Sequence, residues 1–381
     1  MTPVELPASL AGGGAVRASS GAGGFPLVLE LESADALGDA GAGAWVTAHQ
    51  AELEALLARF GAVLFRGFVR AAEPAAAAGA APSAAALAFS DFVRGFRGER
   101  WADLPYEDSL SYAVRTAVCE RVCTTNEGRL GGMVWHHEQA QAPRFPRVVF
   151  FFCEVPADAG CGGGTGITPS AAVHDALARE HPAFLAACAA KGLVYRARLP
   201  PSDSAGAGSG VGRSWRSFWR CEHKEHAEAR MRELGYSWTW EGEAGDVLHM
   251  ATPVLPAVVE ASGRKVFFNQ AIAQALSNAK WFAEVSGEGA AAPSAEKEAE
   301  QLSRFLTLGD GSPADLAALR FAAQVADAHA YDVEWQRGDV ALIDNYLVMH
   351  ARRAWIGDGP RKVLASLVNE PLRLPTPGAA S

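Results

Sequence analysis

The stretch WHHEQAQAPRFPRVVFFFCEV, residues 135–155, decides the fold of this chain. Its second half, VVFFFCEV at 148–155, is aromatic and β-branched, and a proline stands close to each end. Such a segment is short for a buried helix and is typical of a central β-strand. The first half carries two His and one Glu before that strand, where an extended backbone is expected. The stretch therefore predicts a buried strand preceded by polar residues.

The segments on either side of this stretch predict more short strands, with helices between them. Strands are predicted at 61–68, 236–240, 258–261, 265–269, 339–345 and 362–368. Helices are predicted at 46–59, 221–234 and 294–329, the last with a break at 309–313. The expected fold class is mainly β with helical insertions (α+β).

The organisation of the chain favours one domain. The 381 residues could hold two domains, but neither an internal repeat nor a linker divides them. We expect a single domain at 25–369, a loose N-terminal segment at 1–24 and a loose tail at 370–381. Insertions into the domain are expected near 70–90, 200–215 and 280–330.

The composition is that of a globular protein, with 49% hydrophobic and 20% charged residues. The 34 Lys and Arg against 43 Asp and Glu give a formal charge of −9, which argues against nucleic acid and anionic membranes as partners. Six Cys without a C-x-x-C pair indicate free thiols in a reducing compartment. A cytoplasmic location is expected, with an organelle transit peptide in residues 1–24 as the alternative.

Three His-x-Glu triplets occur in the sequence, and their expected local structure separates them. The triplets at 223–225 and 226–228 lie in a predicted helix, where residues two apart point about 200° apart. The triplet at 136–138 lies in a segment expected to be extended, where residues two apart share a face. His136 and Glu138 can therefore bind one ion, as two members of the 2-His-1-carboxylate triad that leaves positions open on Fe(II).

The second His of such a triad must come from elsewhere in the chain. His350 ends the segment DNYLVMH, directly after a predicted strand. The other candidates, which lack this setting, are His174, His181, His249 and His329. Arg361 lies eleven residues beyond His350 and opens the next predicted strand. Because a 2-oxo acid bound to Fe(II) needs a partner for its distal carboxylate, the bidentate guanidinium of Arg361 completes a coherent site.

With these residues the sequence resembles a known family, the Fe(II)- and 2-oxoglutarate-dependent oxygenases of the taurine dioxygenase and clavaminate synthase-like group. It is most similar to the eukaryotic clavaminate synthase-like branch, which carries Glu rather than Asp in the ligand motif. The resemblance implies a double-stranded β-helix (jelly-roll) core. The similar segments are VRTAVCERVCTTNE (114–127), WHHEQAQAPRFPRVVFFFCEVPADAGCGGGT (135–165), VFFNQ (266–270) and GDVALIDNYLVMHARRAWIGDGPRKVLASL (338–367).

The resemblance also implies an activity and roles for particular residues. His136, Glu138 and His350 would be the catalytic iron ligands, and Arg361 with Thr165 would bind the distal carboxylate of 2-oxoglutarate. The implied reaction uses Fe(II), 2-oxoglutarate and O2 to hydroxylate or desaturate a small-molecule substrate, with release of succinate and CO2. Further candidate pocket residues in the similar segments are Arg115, Asn126, Asn269 and Gln270.

Two departures from the family pattern leave alternatives open. The family usually has G-G-[ED]-T-P where this chain has GGGTG at 162–166, so Thr168 is an alternative to Thr165. Lys362 directly follows Arg361, and a register shift of one residue would exchange their faces. Arg361 is preferred because Lys offers only a point charge.

Two other classes of protein fit part of the pattern. A zinc hydrolase can also use two His and one Glu, but the chain lacks an H-E-x-x-H helix. A non-catalytic binding protein could keep the same fold. The expected partner is a small-molecule substrate, with no nucleic acid and no membrane, and the sequence leaves the oligomeric state open.

Overall fold

The structure, a computed structural model, is built on two β-sheets that face each other across an apolar cluster. A smaller third sheet and a two-stranded hairpin complete the strands, and helices pack on the outer sides. The fold is sheet-rich with helices, as the sequence predicts. The described residues are 1–11, 15–33, 37, 41–70, 81–98, 100–104, 110–111, 115–125, 132–204, 213–277, 294–356 and 359–369.

The strands of the described residues are short, and most have between three and eight residues. In chain order they are β1 (Thr2–Pro3), β2 (Val16–Ser20), β3 (Leu27–Leu31), β4 (Ala62–Arg66), β5 (Ala102–Asp103), β6 (Ala117–Cys119), β7 (Val122–Thr124), β8 (Met133–His136), β9 (Val148–Val155), β10 (Thr165–Pro169), β11 (Leu193–Leu199), β12 (Ser237–Glu241), β13 (Val247–Ala251), β14 (Val259–Ala261), β15 (Arg264–Val266), β16 (Leu306–Leu308), β17 (Tyr331–Val333), β18 (Val340–Asp344), β19 (Val348–Arg352) and β20 (Lys362–Asn369).

The helices lie between these strands. They are α1 (Ala8–Ala11), α2 (Gly41–Ala48), α3 (Gln50–Phe60), α4 (Ala84–Arg97), α5 (Ser170–Glu180), α6 (Pro182–Lys191), α7 (Trp215–Trp219), α8 (Lys224–Glu233), α9 (271–277), α10 (Ala295–Ser303) and α11 (Leu316–Ala328). None of the described helices is both long enough and apolar enough to cross a membrane.

The large sheet has the order β1-β2-β3-β4-β18-β9-β20-β7-β6, with β5 paired to β20. On β9, Phe150 and Phe152 pack on the outer side, where Phe152 stacks on Phe89 of α4. Val149 and Phe151 point the other way, into the cluster between the sheets. Apart from Glu154, VVFFFCEV is apolar because both of its faces are covered. The strand predicted at 148–155 is confirmed over the same residues.

The small sheet has the order β17-β10-β19-β8 and lies against the inner side of the large sheet. Val348 of β19 packs in the cluster between the sheets, whereas Met349 and Ala351 pack in the cluster formed with α5 and α11. Because side chains alternate along a strand, His350 and Arg352 share the inner side with Val348. The candidate site therefore lies on the inner face of this sheet.

The third sheet, of order β12-β13-β11-β16, carries a separate aromatic cluster. Trp215 and Trp219 of α7 are fully buried in it, together with Leu248 and Met250 of β13. Arg213, just before α7, donates from its Nη1 to the carbonyl oxygen of Ser111 at 2.5 Å. The cluster is thereby tied to the segment that leads towards β6.

The N-terminal segment differs from its expected loose structure. β1 pairs with β2, β2 pairs with β3, and the side chains of Leu10 and Val16 are buried. The described part of the segment 1–24 therefore forms an edge of the large sheet rather than a loose segment, because its few apolar residues reach the outer cluster of that sheet.

The Ala-rich insertion expected near 70–90 also differs in its second part. The hydroxyl of Ser83 caps α4 by accepting a hydrogen bond from the amide of Ala86 at 3.0 Å. Phe89, Phe92 and Phe96 of this helix are fully buried against the large sheet. Alanine has the highest helix propensity, so a capped Ala run with apolar residues behind it forms a buried helix.

The remaining predicted elements are found with shifted ends. The helix predicted at 46–59 is two helices, α2 and α3, which meet at His49. The strand predicted at 265–269 ends at Val266, and the insertion near 280–330 contains α10 and α11 with a turn at 309–313. Parts of the predicted insertions and the predicted tail lie outside the described residues, namely 71–80, 205–212, 278–293 and 370–381.

Candidate metal centre

The structure brings His136, Glu138 and His350 together. Their side chains are buried, and one possible ligand atom from each lies within 4.8 Å of those of the other two. His136 and His350 are register partners on the antiparallel strands β8 and β19, with ring centroids 4.2 Å apart. The Nε2 atom of His350 lies 3.5 Å from Oε2 of Glu138. His136 and His350 are more than 200 residues apart in the sequence, and the pairing of β8 with β19 brings them together.

Hydrogen bonds fix the side chain of His136 and the main chain of Glu138. The Nδ1 atom of His136 lies 2.7 Å from the carbonyl oxygen of Val134, which leaves Nε2 to face the cluster. The main chain of Glu138 is held by the buried amide of Asn345, which accepts from the Glu138 N–H at 2.8 Å and donates to the Glu138 carbonyl at 2.9 Å. The chain then turns away at Gln139, whose φ of 55° is left-handed.

The protonation states of the cluster suit metal binding. Burial, helped by the neighbouring His350, lowers the pKa of His136 to about 4, so its imidazole is neutral at physiological pH. Burial alone would raise the pKa of the Glu138 carboxyl, but Arg115 and the two imidazoles together lower it below its usual range. The Nη2 atom of Arg115 donates to Oε1 of Glu138 at 2.7 Å. Neutral imidazoles and an ionised carboxylate are the ligand forms that metals bind.

The donor set fits a divalent transition metal. Ligand atoms about 2 Å from one ion and at right angles to each other lie about 3 Å apart, close to the 3.5 Å between His350 and Glu138. Two imidazoles and one carboxylate on the same side of a pocket are the facial set of non-haem Fe(II) enzymes. Among the described residues, this is the only group of three or more His, Cys, Asp or Glu side chains close enough to hold an ion.

His137, between two of these residues, has a different environment. Its side chain is fully buried, and its Nδ1 atom bonds to the carbonyl oxygen of Asn345. Its Nε2 atom lies 3.2 Å from the carbonyl oxygen of Phe267 and 3.1 Å from the hydroxyl of Ser170. Burial lowers the pKa of His137 to about 3. This neutral ring joins three segments around the site and points away from the ligand cluster, as expected for its alternation with His136 and Glu138.

Arg361 and Lys362 face opposite sides at the start of β20. The Nζ atom of Lys362 pairs with Oε2 of Glu154 at 2.6 Å, on the outer side of the large sheet. Arg361 lies in phase with Val363, which packs in the cluster between the sheets, and its Nε donates to the carbonyl oxygen of Gly163 at 2.7 Å. A Cβ on Gly163 would come within 2.9 Å of Arg361 Nε, so the glycine permits this close approach.

Thr165 and Thr168 also face opposite sides, on β10. Thr165 is the register partner of Arg352, and Ile167, in phase with it, is the partner of His350 on the inner side. The hydroxyl of Thr165 accepts a hydrogen bond from Trp335 Nε1 at 3.0 Å. Thr168 pairs with Met349, which packs on the helix side of the sheet. Thr165 therefore lies on the same face as His350, two residues from the carbonyl that Arg361 contacts.

The remaining candidate residues have structural partners. His249 lies 3.2 Å from Glu241 on the third sheet, and His174 lies 2.9 Å from Asp175 on α5. The side-chain amide of Asn269 bonds to main-chain groups of neighbouring turns, and that of Gln270 donates to the His137 carbonyl at 2.9 Å. His181 contacts the ring of Phe321 and His329 bonds to the Val325 carbonyl, while Asn126 lies outside the described residues.

Two features of the site go beyond what the sequence predicts. Arg115 matches a family segment, but its contact with Glu138 joins residues 23 apart that flank strands of different sheets, and no local pattern indicates such a pair. Asn345 ends a predicted strand, yet its role as a main-chain clamp for Glu138 depends on a pairing with a residue more than 200 positions away. A buried amide directly after an apolar strand is the one signal that could have indicated it.

Two facing sheets with a buried 2-His-1-carboxylate cluster on the inner face of one define the class of non-haem metal proteins. Comparison with known sequences makes this specific. The sequence profile of the taurine catabolism dioxygenase TauD, TfdA family matches residues 39–367, and the chain belongs to this family. It is therefore a 2-oxoglutarate-dependent oxidoreductase with Fe(II) and 2-oxoglutarate as its cofactors.

A curated relative supports the same family. The chain is 34% identical over 318 residues to a clavaminate synthase-like protein of Arabidopsis thaliana, and the aligned region covers 83% of each chain. The resemblance to the clavaminate synthase-like group stated from the motifs is thus confirmed.

Solved structures are related more distantly. A taurine dioxygenase from Burkholderia xenovorans has a TM-score of 0.46 and 14% identity, with 93% of this chain and 90% of that chain covered. The PvcB protein from Pseudomonas aeruginosa has a TM-score of 0.43 and 16% identity, with 96% of this chain and 94% of that chain covered. At these values the structures carry no part of the assignment, which rests on the family profile and the curated relative.

Proposed function

We propose that this protein is a dioxygenase that hydroxylates or desaturates a small-molecule substrate and converts 2-oxoglutarate to succinate and CO2. The observation that carries the proposal is the buried cluster of His136, Glu138 and His350, with Arg361 on the inner side of the facing sheet. A group of metal-ligating side chains and a guanidinium on the inner sides of two facing sheets match the two ends of 2-oxoglutarate, which are a chelating 2-oxo acid and a distal carboxylate.

Each of these residues has a proposed role. His136, Glu138 and His350 bind Fe(II), and Arg361 binds the distal carboxylate of 2-oxoglutarate, with Thr165 as the second donor. The contact of Arg361 Nε with the Gly163 carbonyl supports this role, since it holds the guanidinium on the inner side of the large sheet. The choice of Arg361 over Lys362 is supported by the pairing of Lys362 with Glu154 on the outer side.

The chain also supplies the environment of the reaction. When bound, Fe(II) together with 2-oxoglutarate and O2 supplies the oxidising chemistry, which side chains alone do not provide. The ring of Phe151 lies 5.1 Å from that of His350, and together with Val363 and Ile167 it surrounds the ligand cluster with apolar groups. These side chains exclude water and strengthen the interaction of Arg361 with a carboxylate, because the local dielectric constant is low.

The proposal extends to the fold and the setting of the protein. We infer that the two facing sheets form a double-stranded β-helix, which is supported by the mainly antiparallel pairing and by the apolar cluster between them. A single domain, a small-molecule partner without nucleic acid or membrane, and a cytoplasmic location remain predictions from the sequence.

An anaerobic titration tests the assignment of the site. Purified protein is mixed with Fe(II) and 2-oxoglutarate, and the visible charge-transfer band of the chelated complex is recorded. We expect the band in the wild-type protein and its loss in His136→Ala. His226→Ala, which removes an exposed imidazole from α8, is the matched control and should keep the band. A wild-type protein that binds zinc but forms no band with Fe(II) and 2-oxoglutarate contradicts the proposal.

A further inference from the structure

The two carboxylate oxygens of Glu138 have different partners. Oε1 accepts a hydrogen bond from Arg115 Nη2 at 2.7 Å, and Oε2 lies 3.5 Å from His350 Nε2. Both side chains of the ion pair are almost fully buried, with 6% of Arg115 and 4% of Glu138 exposed. In such an environment a charge-assisted hydrogen bond is strong and keeps its geometry. One oxygen is therefore bound to the protein, and the other faces the imidazoles.

Arg115 reaches Glu138 from the opposite sheet. It stands just before the hairpin of β6 and β7, and β7 pairs with β20 of the large sheet. The hairpin is fixed beside Arg115, because the amide of Thr116 donates to the Thr124 hydroxyl at 3.0 Å and the amide of Thr124 donates to the Thr116 carbonyl at 2.9 Å. The guanidinium thus spans the interior from a fixed strand pair to a ligand on the small sheet.

The main chain of Glu138 is fixed as well. The side-chain amide of Asn345 holds both its N–H and its carbonyl group, so the main-chain end of the Glu138 side chain is fixed. Asn345 holds the main chain of Glu138, and Arg115 holds its Oε1 atom. A metal can therefore approach the carboxylate only at Oε2.

We propose that Arg115 is a positioning residue that keeps Glu138 a one-oxygen ligand and thereby keeps three coordination positions open on the metal. This inference rests on the proposed function of the site. A six-coordinate ion with three protein ligands has three positions left, two for a chelating 2-oxo acid and one for O2. A carboxylate that used both oxygens would occupy one of these three. The hydrogen bond to Oε1 prevents this loss.

The test counts water molecules on Mn(II), which serves as a spectroscopic probe of the site and needs no turnover. Broadening of the Mn(II) resonance in 17O-labelled water reports how many waters the ion carries. We expect three waters in the wild-type protein and two in Arg115→Met, whose side chain fills space without a donor. Arg115→Lys retains one donor for Oε1 and should keep three. Added 2-oxoglutarate should remove two waters, leaving one in the wild type and none in Arg115→Met.

The control variant is Arg353→Met. Arg353 forms its ion pairs with Asp327 and Asp332 at 2.6 Å near the surface, so its loss should leave the water count at three. A count of three in fully loaded Arg115→Met overturns the inference, and so does a folded Arg115→Met or Arg115→Lys protein that binds no Mn(II). Failure of the wild-type protein itself to bind Mn(II) would instead contradict the assignment of the site.

Discussion

The same tripeptide pattern, His-x-Glu, occurs at the end of β8 and twice along α8, with opposite results. At 136–138 the strand β8 ends at His136 and Glu138 begins a turn, and both side chains reach one buried cluster with His350. At 223–228 the residues begin a helix, where His223, Glu225 and His226 are exposed and Glu228 accepts a hydrogen bond from Trp240 Nε1 at 2.7 Å. Local geometry and burial, and not the pattern of residue types, therefore separate a metal site from a solvated surface.

The largest expected effect is the loss of turnover when the buried carboxylate is removed. Removal of an exposed carboxylate from α8 is the comparison. Glu138→Ala should abolish 2-oxoglutarate turnover, with a loss well beyond the roughly 10- to 100-fold typical when only an outer partner of a ligand is removed. Glu225→Ala should leave turnover unchanged and alter the free energy of unfolding by less than about 0.5 kcal/mol, since the residue is an exposed surface carboxylate. Succinate formation measures the first effect and urea unfolding the second. Near-normal succinate production by a folded Glu138→Ala protein would break the comparison.

The adjacent cations Arg361 and Lys362, at the start of β20, extend the comparison to two residues that face opposite sides of one strand. Arg361→Ala should raise the KM for 2-oxoglutarate by about 10- to 100-fold, the amount expected for one charge-assisted hydrogen-bonded pair. Lys362→Ala should leave this KM unchanged and lower the free energy of unfolding by about 1 kcal/mol, because it breaks the half-exposed pair with Glu154. Steady-state kinetics with varied 2-oxoglutarate distinguishes the two variants. A larger rise in KM for Lys362→Ala than for Arg361→Ala would show that Lys362, and not Arg361, faces the cosubstrate.

The buried carboxylate of Asp339, just before β18, provides a smaller effect. Burial raises the pKa of Asp339 from 3.8 to about 6, and the Gln336 amide and Arg66 oppose this only in part. Between these two pH values the folded protein binds more protons than the unfolded chain, so this contribution to stability is present below pH 4 and is lost as the pH rises through 6.

Asp339→Asn should remove this pH dependence. The free energy of unfolding of the variant, relative to the wild type, should increase by about 2 kcal/mol between pH 4 and pH 8, in line with a shift of this size in a buried group. Urea unfolding at several pH values measures the difference. Glu154→Gln serves as a control at a second buried carboxylate of the same sheet. A constant difference between Asp339→Asn and wild type across this range would show that folding does not raise the pKa of Asp339.

Much of the site could be predicted from the sequence because its signals are local. The strand at 148–155 has a largely apolar pattern between prolines, and His136 and Glu138 stand two residues apart in a segment whose sequence predicts an extended backbone. His350 and Arg361 each stand beside a predicted strand, so they too could be proposed from short segments. The assignment of these residues as ligands and cosubstrate partner remains a proposal for experiment.

The rest depended on contacts between distant parts of the chain. The Arg115 hydrogen bond with Glu138 crosses from one sheet to the other, and its existence follows from how β6, β7 and β20 pair. The burial of α4 depends on the outer face of the large sheet, which an Ala-rich segment does not indicate by itself. Likewise, the edge strands β1 and β2 gain their stability from pairing with β3, not from their own composition.

The placement of Trp135 gives the protein a natural optical reporter. Its indole lies on the outer side of β8, buried, one residue before His136, and its Nε1 donates to Asp327 at 3.0 Å. Trp215 and Trp219 emit from the separate aromatic cluster on the third sheet. A paramagnetic ion bound by the neighbouring imidazole quenches fluorescence with a steep distance dependence, so quenching falls more on Trp135 than on Trp215 and Trp219. Loading of the centre can thus be followed in real time without a label.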